Sequence, residues 1–223
     1  MARSNVPHPP RVIDAQFVAS AARVEQLPPP KHLEVAFAGR SNVGKSSLMN
    51  ALLERRKLVR TSSTPGCTRQ VSLFEVTTRL GSRITFVDLP GYGYAKRSHS
   101  ERREWADLIQ TYLKQRAALA AVVTLVDVRR GLQEEDQQLF ELIAAPAHVS
   151  RAPVEIIPVA TKLDKLSGSE RKLAMAALTK ATELSWIGFS TELPDTHVLL
   201  WRHLLQRLGL DQAPAAAAPA APA

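Results

Sequence analysis

The chain has 223 residues, a mass of 24.5 kDa and 45% hydrophobic residues, enough for one α/β domain with a full core. Its 29 lysine and arginine residues outnumber 21 aspartate and glutamate residues, so the net charge of +8 favours polyanionic partners such as nucleic acid. The single cysteine, Cys67, excludes an internal disulfide and a cysteine-based zinc site, and we expect a reducing compartment.

The sequence contains no recognisable membrane anchor or export signal. The longest uncharged apolar run, 117–126, has only ten residues, about half of what a bilayer-spanning helix needs. Asp14, Arg23 and Glu25 interrupt the N-terminal segment, which therefore lacks the apolar stretch of a signal peptide. We expect a cytoplasmic protein without membrane insertion.

Two low-complexity ends frame the predicted domain. The first ten residues are rich in proline and polar side chains, and three prolines at 28–30 end the segment that follows them, so ordered structure is expected to begin near His32. Residues 213–223 contain only alanine and proline, which cannot anchor a core. We predict an N-terminal extension over 1–30, one domain over 31–211 and a disordered tail over 212–223.

Between these ends, apolar runs alternate with segments of helical periodicity, the pattern of a doubly wound α/β sheet. The runs predicted to form buried parallel strands are 33–38, 84–87, 121–126, 154–160 and 186–189. A further run, 71–76, is joined to 84–87 through Gly81 and Ser82, a connection too short for a parallel crossover. The predicted sheet is therefore mostly parallel, with six strands, one antiparallel edge strand, and helices on both faces.

Two amphipathic helices are predicted in the second half of this pattern. One begins at a capping box formed by Ser98 and Glu101 and carries apolar residues at 105, 108, 109, 112 and 113. Another follows Asp195. We interpret Trp105 and Trp201, one on each helix, as packing residues rather than cofactor contacts.

The segment 39–46 matches the phosphate-binding P-loop motif G-x-x-x-x-G-K-[ST], and it lies between a predicted strand and a predicted helix over 47–53, as the motif requires. Its glycines allow backbone N–H groups to converge on phosphate oxygens at a helix N-terminus. Lys45 adds a charge at the β- and γ-phosphates, and Ser46 offers a hydroxyl to Mg²⁺. The predicted phosphate-binding residues are Gly39, Arg40, Ser41, Asn42, Val43, Gly44, Lys45, Ser46 and Ser47.

The tetrapeptide Asp88-Leu89-Pro90-Gly91 follows another predicted buried strand. Asp88 would therefore emerge at the edge of the sheet where P-loops open, in a position to hold a water on Mg²⁺. Gly91 could bring its backbone N–H to a γ-phosphate. Alone, this tetrapeptide equally fits an ordinary Pro-Gly turn; the P-loop about forty residues upstream favours the phosphate role.

The tetrapeptide Thr161-Lys162-Leu163-Asp164 ends a further predicted strand. The Asp164 carboxylate can accept hydrogen bonds from guanine N1 and N2 together, whereas adenine offers no such pair of donors. Mismatched polar sites of this kind discriminate by roughly 10⁴ or more. The stem of Lys162 can lie along the base plane. The sequence therefore predicts a guanine site, although the tetrapeptide alone is also a common surface sequence.

Four features together resemble a known family: the segment 39–48, the segment 60–66 (Arg-Thr-Ser-Ser-Thr-Pro-Gly), the segment 88–95 (Asp-Leu-Pro-Gly-Tyr-Gly-Tyr-Ala), and threonine instead of asparagine at position 161. The chain resembles translation-factor-class small GTPases and, more narrowly, the bacterial EngB family of ribosome-biogenesis GTP-binding proteins. The similarity covers about residues 28–210 and implies a Ras-like G domain with the P-loop NTPase fold.

The resemblance implies that Thr68 is the switch-I threonine whose hydroxyl joins Ser46 on Mg²⁺ when GTP is bound; Thr64 is the competing candidate. It places Gly66 and Cys67 in the same GTP-binding loop. Cys67 stands where we expect a basic residue, and we interpret it as a small side chain tolerated in that loop. The residues expected to take part in hydrolysis are Lys45, Thr68 and Gly91.

The resemblance also implies a last guanine contact and a second cation. Phe189, Ser190 and Thr191 would form a loop whose backbone N–H groups near 190 and 191 face guanine O6. Asn42 resembles the P-loop asparagine of potassium-stimulated GTPases, in which K⁺ replaces the charge of an arginine finger. Tyr92 stands where Ras-like enzymes have the glutamine that orients the attacking water, so we expect slow hydrolysis.

These features predict a slow GTPase that switches between GTP and GDP forms, with Mg²⁺ as cofactor and K⁺ as a stimulator. By resemblance, its partner is the assembling large ribosomal subunit, both rRNA and ribosomal proteins, with linked effects on cell division and septation. We expect a monomer. Two alternatives stay open: a septation or cell-cycle GTPase that acts independently of the ribosome, and a metabolic P-loop phosphotransferase, for which no convincing lid segment is present.

Overall fold

Seven strands and five α-helices make up the described part of a computed structural model, residues 11–59, 70–93 and 99–211, with side chains described for all of these except 99–102. The strands are β1 (Val12–Ala21), β2 (Glu34–Gly39), β3 (Val71–Thr78), β4 (Arg83–Asp88), β5 (Leu119–Asp127), β6 (Glu155–Thr161) and β7 (Ile187–Gly188). The helices are α1 (Lys45–Leu52), α2 (His99–Gln115), α3 (Glu134–Ala144), α4 (Gly168–Thr182) and α5 (Pro194–Arg207). Short 3₁₀ helices cover Val24–Gln26 and Leu163–Lys165.

The strands form one mixed sheet in the order β1-β3-β4-β2-β5-β6-β7. Strands β4, β2, β5, β6 and β7 are parallel, whereas β3 is antiparallel to both β4 and β1. The predicted α/β class and the antiparallel pairing of β3 with β4 are confirmed. In the turn between these two strands Gly81 has a φ of 82°, which glycine adopts without strain.

Strand β1 corrects three expectations: that ordered structure begins near His32, that the sheet has six strands, and that the antiparallel strand β3 lies at the edge of the sheet. It pairs with β3 along its whole length. Val12, Ala15 and Ala21 are buried, but Ile13 is exposed, and two register irregularities interrupt the ladder. Because burial does not alternate regularly along β1, hydrophobic periodicity gives only a weak signal here, and the paired residues of β3 lie 50 to 66 positions downstream.

Helices cover both faces of the sheet, as predicted. On one face Trp201 of α5 stacks on Phe86 of β4, with ring centroids 5.4 Å apart, and its 2% exposure confirms the predicted packing role. On the other face, Tyr112 of α2 and Leu139 of α3 belong to a second apolar cluster. Within the described ranges, no helix combines the length and apolarity needed to cross a bilayer.

A buried polar cluster fixes α2 to the amino-terminal end of β2. The Glu34 carboxylate is 1% exposed and accepts hydrogen bonds from the Tyr112 hydroxyl at 2.7 Å and from Arg116 Nη2 at 2.7 Å. Burial, followed by the adjacent Glu34 carboxylate, raises the pKa of Tyr112 well above its usual value. This cluster lies at the end of β2 opposite the P-loop.

Candidate functional site

The loop 39–46 passes directly from strand to helix, because Gly39 ends β2 and Lys45 begins α1. A Cβ at Gly39 would lie 2.9 Å from Val43 Cγ1 and 3.0 Å from Leu125 Cβ on the neighbouring strand, so a side chain there would force these neighbours to shift. Gly44, the N-cap of α1, has a φ of 106°, which L-residues rarely adopt. These glycines let the loop turn tightly enough to present the free N–H groups of the first turn of α1.

A buried ion pair joins the P-loop to the end of β4. Lys45 Nζ donates a hydrogen bond to Asp88 Oδ1, and the two side chains are 9% and 6% exposed. The Ser46 hydroxyl and the Asp88 carboxylate are hard oxygen donors of the kind that Mg²⁺ prefers. The described residues contain no cluster of three or more His, Cys, Asp or Glu suited to a metal. Mg²⁺ held by Ser46 and, through a water, by Asp88 would take its other ligands from phosphate, water and the predicted Thr68 hydroxyl.

The backbone that follows Asp88 runs beside the P-loop. The Tyr92 N–H donates to the Gly39 carbonyl at 3.4 Å, and the Ser41 N–H donates to the Tyr92 carbonyl at 2.9 Å. A Cβ at Gly91 would lie 3.3 Å from Ser41 N and 3.4 Å from Gly39 O. The predicted phosphate-sensing glycine thus packs directly on the P-loop, and a side chain there would push the two loops apart.

The Tyr92 side chain is buried and bonded to α3. Its hydroxyl donates to Asp136 Oδ1 at 2.7 Å, and its ring lies against Trp105, whose indole N–H donates to the Pro90 carbonyl at 2.8 Å. Burial, and next the adjacent Asp136, raise the pKa of the Tyr92 hydroxyl well above its usual value, and burial raises the pKa of Asp136. Sequence reasoning missed Asp136, which nothing in its local sequence marks as more than a helix-start carboxylate.

The predicted base-recognition tetrapeptide also contacts the P-loop. The Thr161 hydroxyl donates to the Val43 carbonyl at 2.7 Å. Lys162 has a φ of 63°, and its Nζ donates to the Asn42 carbonyl at 2.7 Å and to Asp127 Oδ2 at 2.9 Å. These bonds hold two predicted motifs side by side, although they are about 120 residues apart.

Asp127, the last residue of β5, holds the Lys162 ammonium in place and was missed by sequence reasoning. Burial would raise the pKa of Asp127, but hydrogen bonds from Arg129 and Lys162 outweigh it and hold the pKa well below its usual range. The carboxylate is therefore ionised and neutralises part of the positive charge at this edge. An aspartate at a strand end was the only local signal available.

Asp164 lies in the 3₁₀ helix after β6 and is held by two side chains. The Ser190 hydroxyl donates to Asp164 Oδ1 at 2.6 Å, and Lys165 Nζ lies 2.9 Å from Oδ2. The hydrogen bond from Ser190, followed by that from Lys165, lowers the pKa of Asp164. The structure thus brings the predicted loop 189–191 to the predicted base acceptor.

One backbone donor of that loop has a partner within the protein. The Ser190 N–H donates to Thr196 Oγ1 at 3.1 Å, and its role toward guanine O6 stays a prediction. The His197 ring stacks on Phe189 with centroids 4.9 Å apart, which fixes the loop to α5. The exposed Thr191 keeps its predicted place in the loop, and its role as the donor to guanine O6 stays a prediction.

The remaining predicted residues fall into two groups. Leu89 and Pro90, which follow β4, are buried, Leu89 in the apolar cluster that contains Tyr112 and Leu139, and Arg40 forms an ion pair with Glu135 on α3. The switch-I residues lie outside the described part of the chain, so their roles stay predictions; they are Gly66, Cys67, Thr68 and the alternative Thr64. The capping residue Ser98 and the tail 212–223 also lie outside it.

Three motifs thus lie together at the carboxyl ends of the parallel strands β2, β4 and β6, and known proteins share them. The sequence profile of a family described as "50S ribosome-binding GTPase" matches residues 34–162. A probable GTP-binding protein EngB from Geobacter metallireducens is 45% identical over 175 residues, which cover 78% of this chain and 81% of that protein. The chain belongs to the EngB family of GTP-binding proteins. The EngB protein of Bordetella pertussis is 40% identical over 202 residues, covering 89% of this chain and 90% of that one.

A solved structure agrees with the EngB assignment at the level of the fold. The crystal structure of a probable GTP-binding protein EngB superposes with a TM-score of 0.59 and covers 79% of this chain and 98% of that one, at 24% identity. The P-loop GTPase fold and the family resemblance drawn from the motifs are both confirmed.

Proposed function

We propose that this EngB-family protein is a GTP/GDP switch with slow intrinsic hydrolysis that acts in assembly of the large ribosomal subunit. The observation that carries the proposal is the contact of the P-loop with both other motifs, through Lys45 with Asp88 and through Lys162 with Asn42. The family description as ribosome-binding GTPases and the net charge of +8 support rRNA, together with ribosomal proteins, as the partner.

One group of site residues would bind the phosphates of the nucleotide, and another would bind the base. The P-loop N–H groups and Lys45 would bind the β- and γ-phosphates, so Lys45 would exchange Asp88 for phosphate oxygens when nucleotide enters. The Ser46 and Thr68 hydroxyls, with Asp88 acting through a water, would then hold Mg²⁺, which supplies charge neutralisation between the phosphates. Asp164, kept ionised by its two side-chain partners, would accept from guanine N1 and N2.

Hydrolysis is proposed to be slow because Tyr92 cannot orient the attacking water. Its hydroxyl is bonded to Asp136, and tyrosine has no amide. The residues proposed to support hydrolysis are Lys45, Gly91 and Thr68. We also propose that K⁺ binds near Asn42 and stimulates the reaction.

Cosedimentation with large-subunit precursors tests the proposal. The protein with a non-hydrolysable GTP analogue should pellet with the particles, the protein with GDP should pellet less, and binding should fall as salt rises because phosphate contacts release counterions. Ser46→Ala should lose the GTP-dependent part because its Mg²⁺ ligand is missing. Equal pelleting with GTP analogue and GDP, while GTP binding itself persists, would contradict the ribosomal role and favour the ribosome-independent alternative in septation.

A further inference from the structure

Two side chains in the first turn of α3 bind the place where the P-loop contacts the segment after Asp88. Arg40 and Tyr92 lie opposite each other as partners in an isolated parallel bridge. Two consecutive residues of α3 bind these partners: Glu135 Oε2 accepts from Arg40 Nη1, and Asp136 Oδ1 accepts from the Tyr92 hydroxyl at 2.7 Å. Glu135 and Asp136 thus bind the side chains of the two residues that form this backbone bridge.

Asp136 is the firmer of the two attachments. It is 2% exposed, and its second oxygen accepts from the Gln133 N–H at 2.9 Å, which closes the capping box of α3. Both carboxylate oxygens are therefore used, and the Tyr92 hydroxyl is tied to the start of a helix instead of a free side chain. The Glu135 side chain is 44% exposed, so its pair with Arg40 is the weaker attachment.

The position of Tyr92 determines the position of its neighbours. Its backbone exchanges hydrogen bonds with Gly39 and Ser41, and Gly91 packs within 3.4 Å of both, measured from an added Cβ. A shift of Tyr92 would therefore displace the Gly91 N–H and the first half of the P-loop together. The tyrosine hydroxyl is the side-chain polar group that fixes this segment to α3.

We propose that Asp136 is a positioning residue for GTP, acting through Tyr92 to hold Gly91 where its N–H meets the γ-phosphate. This inference rests on the GTP site proposed above. Because GDP lacks the γ-phosphate, loosening Gly91 weakens GTP binding more than GDP binding. A merely structural hydrogen bond would instead change folding stability and leave the ratio of the two affinities unaltered.

The chain offers a matched control for this distinction. Tyr112 is also a buried tyrosine whose hydroxyl donates at 2.7 Å to a buried carboxylate, Glu34, but at the far end of β2. Both Tyr92→Phe and Tyr112→Phe remove one buried hydrogen bond of the same type. Dissociation constants of Mg²⁺-GTPγS and Mg²⁺-GDP are measured by calorimetry for the full chain and each variant, with urea unfolding alongside.

We expect Tyr92→Phe to lower the ratio of GTPγS affinity to GDP affinity about threefold to tenfold, which corresponds to the free energy of one hydrogen bond. Tyr112→Phe should lower the stability of the fold and leave this affinity ratio unchanged. Asp136→Asn should move the ratio in the same direction, and its combination with Tyr92→Phe should change it no more than the larger single effect, since both act through one bond. An unaltered ratio in Tyr92→Phe overturns the positioning role. Failure of the unmodified protein to bind GTPγS overturns the site itself and the inference with it.

Discussion

At the scale of single residues, the charge of Asp164 is stabilised by one distant and one adjacent side chain. The Ser190 hydroxyl, 26 residues away, and Lys165, the next residue, both lower its pKa. An ionised carboxylate offers acceptors only, which suits the two donors of guanine and meets an acceptor on adenine. The predicted base preference therefore depends on the chemistry of this one carboxylate.

Asp164→Asn should shift base preference from guanine to xanthine nucleotides, because an amide presents a donor where the carboxylate presented an acceptor. Competition binding with GTP, XTP and ATP measures the three affinities, and we expect the affinity for GTP to fall roughly 10²-fold or more. Ser190→Ala is the matched control: it removes the hydroxyl from Asp164 but keeps the carboxylate, so binding weakens without a change of base. A variant that still prefers GTP would contradict the assignment of Asp164 to the base.

The phosphate and base motifs could be predicted from the sequence because backbone geometry and base chemistry require particular residue types at fixed spacing, as Lys45 and Asp164 illustrate. Their partners could not be predicted. Asp127 and Asp136 bind Lys162 and Tyr92 across 35 and 44 residues of sequence, and each is an ordinary residue type at an ordinary strand end or helix start.

At the scale of elements, the central strands could be predicted from the sequence, and the edge strand β1 could not. Strands such as β5 are buried on both faces and appear as continuous apolar runs. Strand β1 buries only a few side chains, and its position in the sheet depends on backbone pairing with β3. Its buried positions include Ala15, which packs in the main apolar cluster, whereas the next residue, Gln16, is exposed.

Ala15→Asp should destabilise the fold by about 2 kcal/mol or more, because it places an unpaired charge in the core. Gln16→Asp introduces the same side chain one position along the strand, on the exposed side, and should cost less than about 1 kcal/mol. Urea unfolding of both variants, followed by circular dichroism, gives the two free energies. Equal losses would mean that β1 does not pack against the sheet as described.

At the scale of the whole molecule, Asp127 links three elements through its bonds. It ends β5, binds Lys162 after β6, and Lys162 in turn binds the P-loop at Asn42. Its folded pKa lies below the unfolded value of about 3.9, so Asp127 stabilises the fold above that pH. That contribution is lost as the pH falls through the folded pKa.

Asp127→Asn should therefore flatten the acid side of the stability profile. We expect the unfolding free energy of the unmodified protein to fall more steeply than that of the variant between roughly pH 5 and pH 2. Urea unfolding across this range measures both slopes, and Asp107→Asn, which removes an exposed carboxylate from α2, controls for the change in net charge. Parallel profiles for all three proteins would contradict the role given to Asp127.

The bond between Tyr92 and Asp136 has a consequence for timing. Because the Tyr92 hydroxyl is bonded to Asp136 at the start of α3, under the proposed function the lifetime of the GTP-bound form would depend on groups that a partner contributes. If the bound large-subunit precursor contributes those groups, it would itself stimulate GTP hydrolysis. The maturing particle would then cause the release of its own assembly factor.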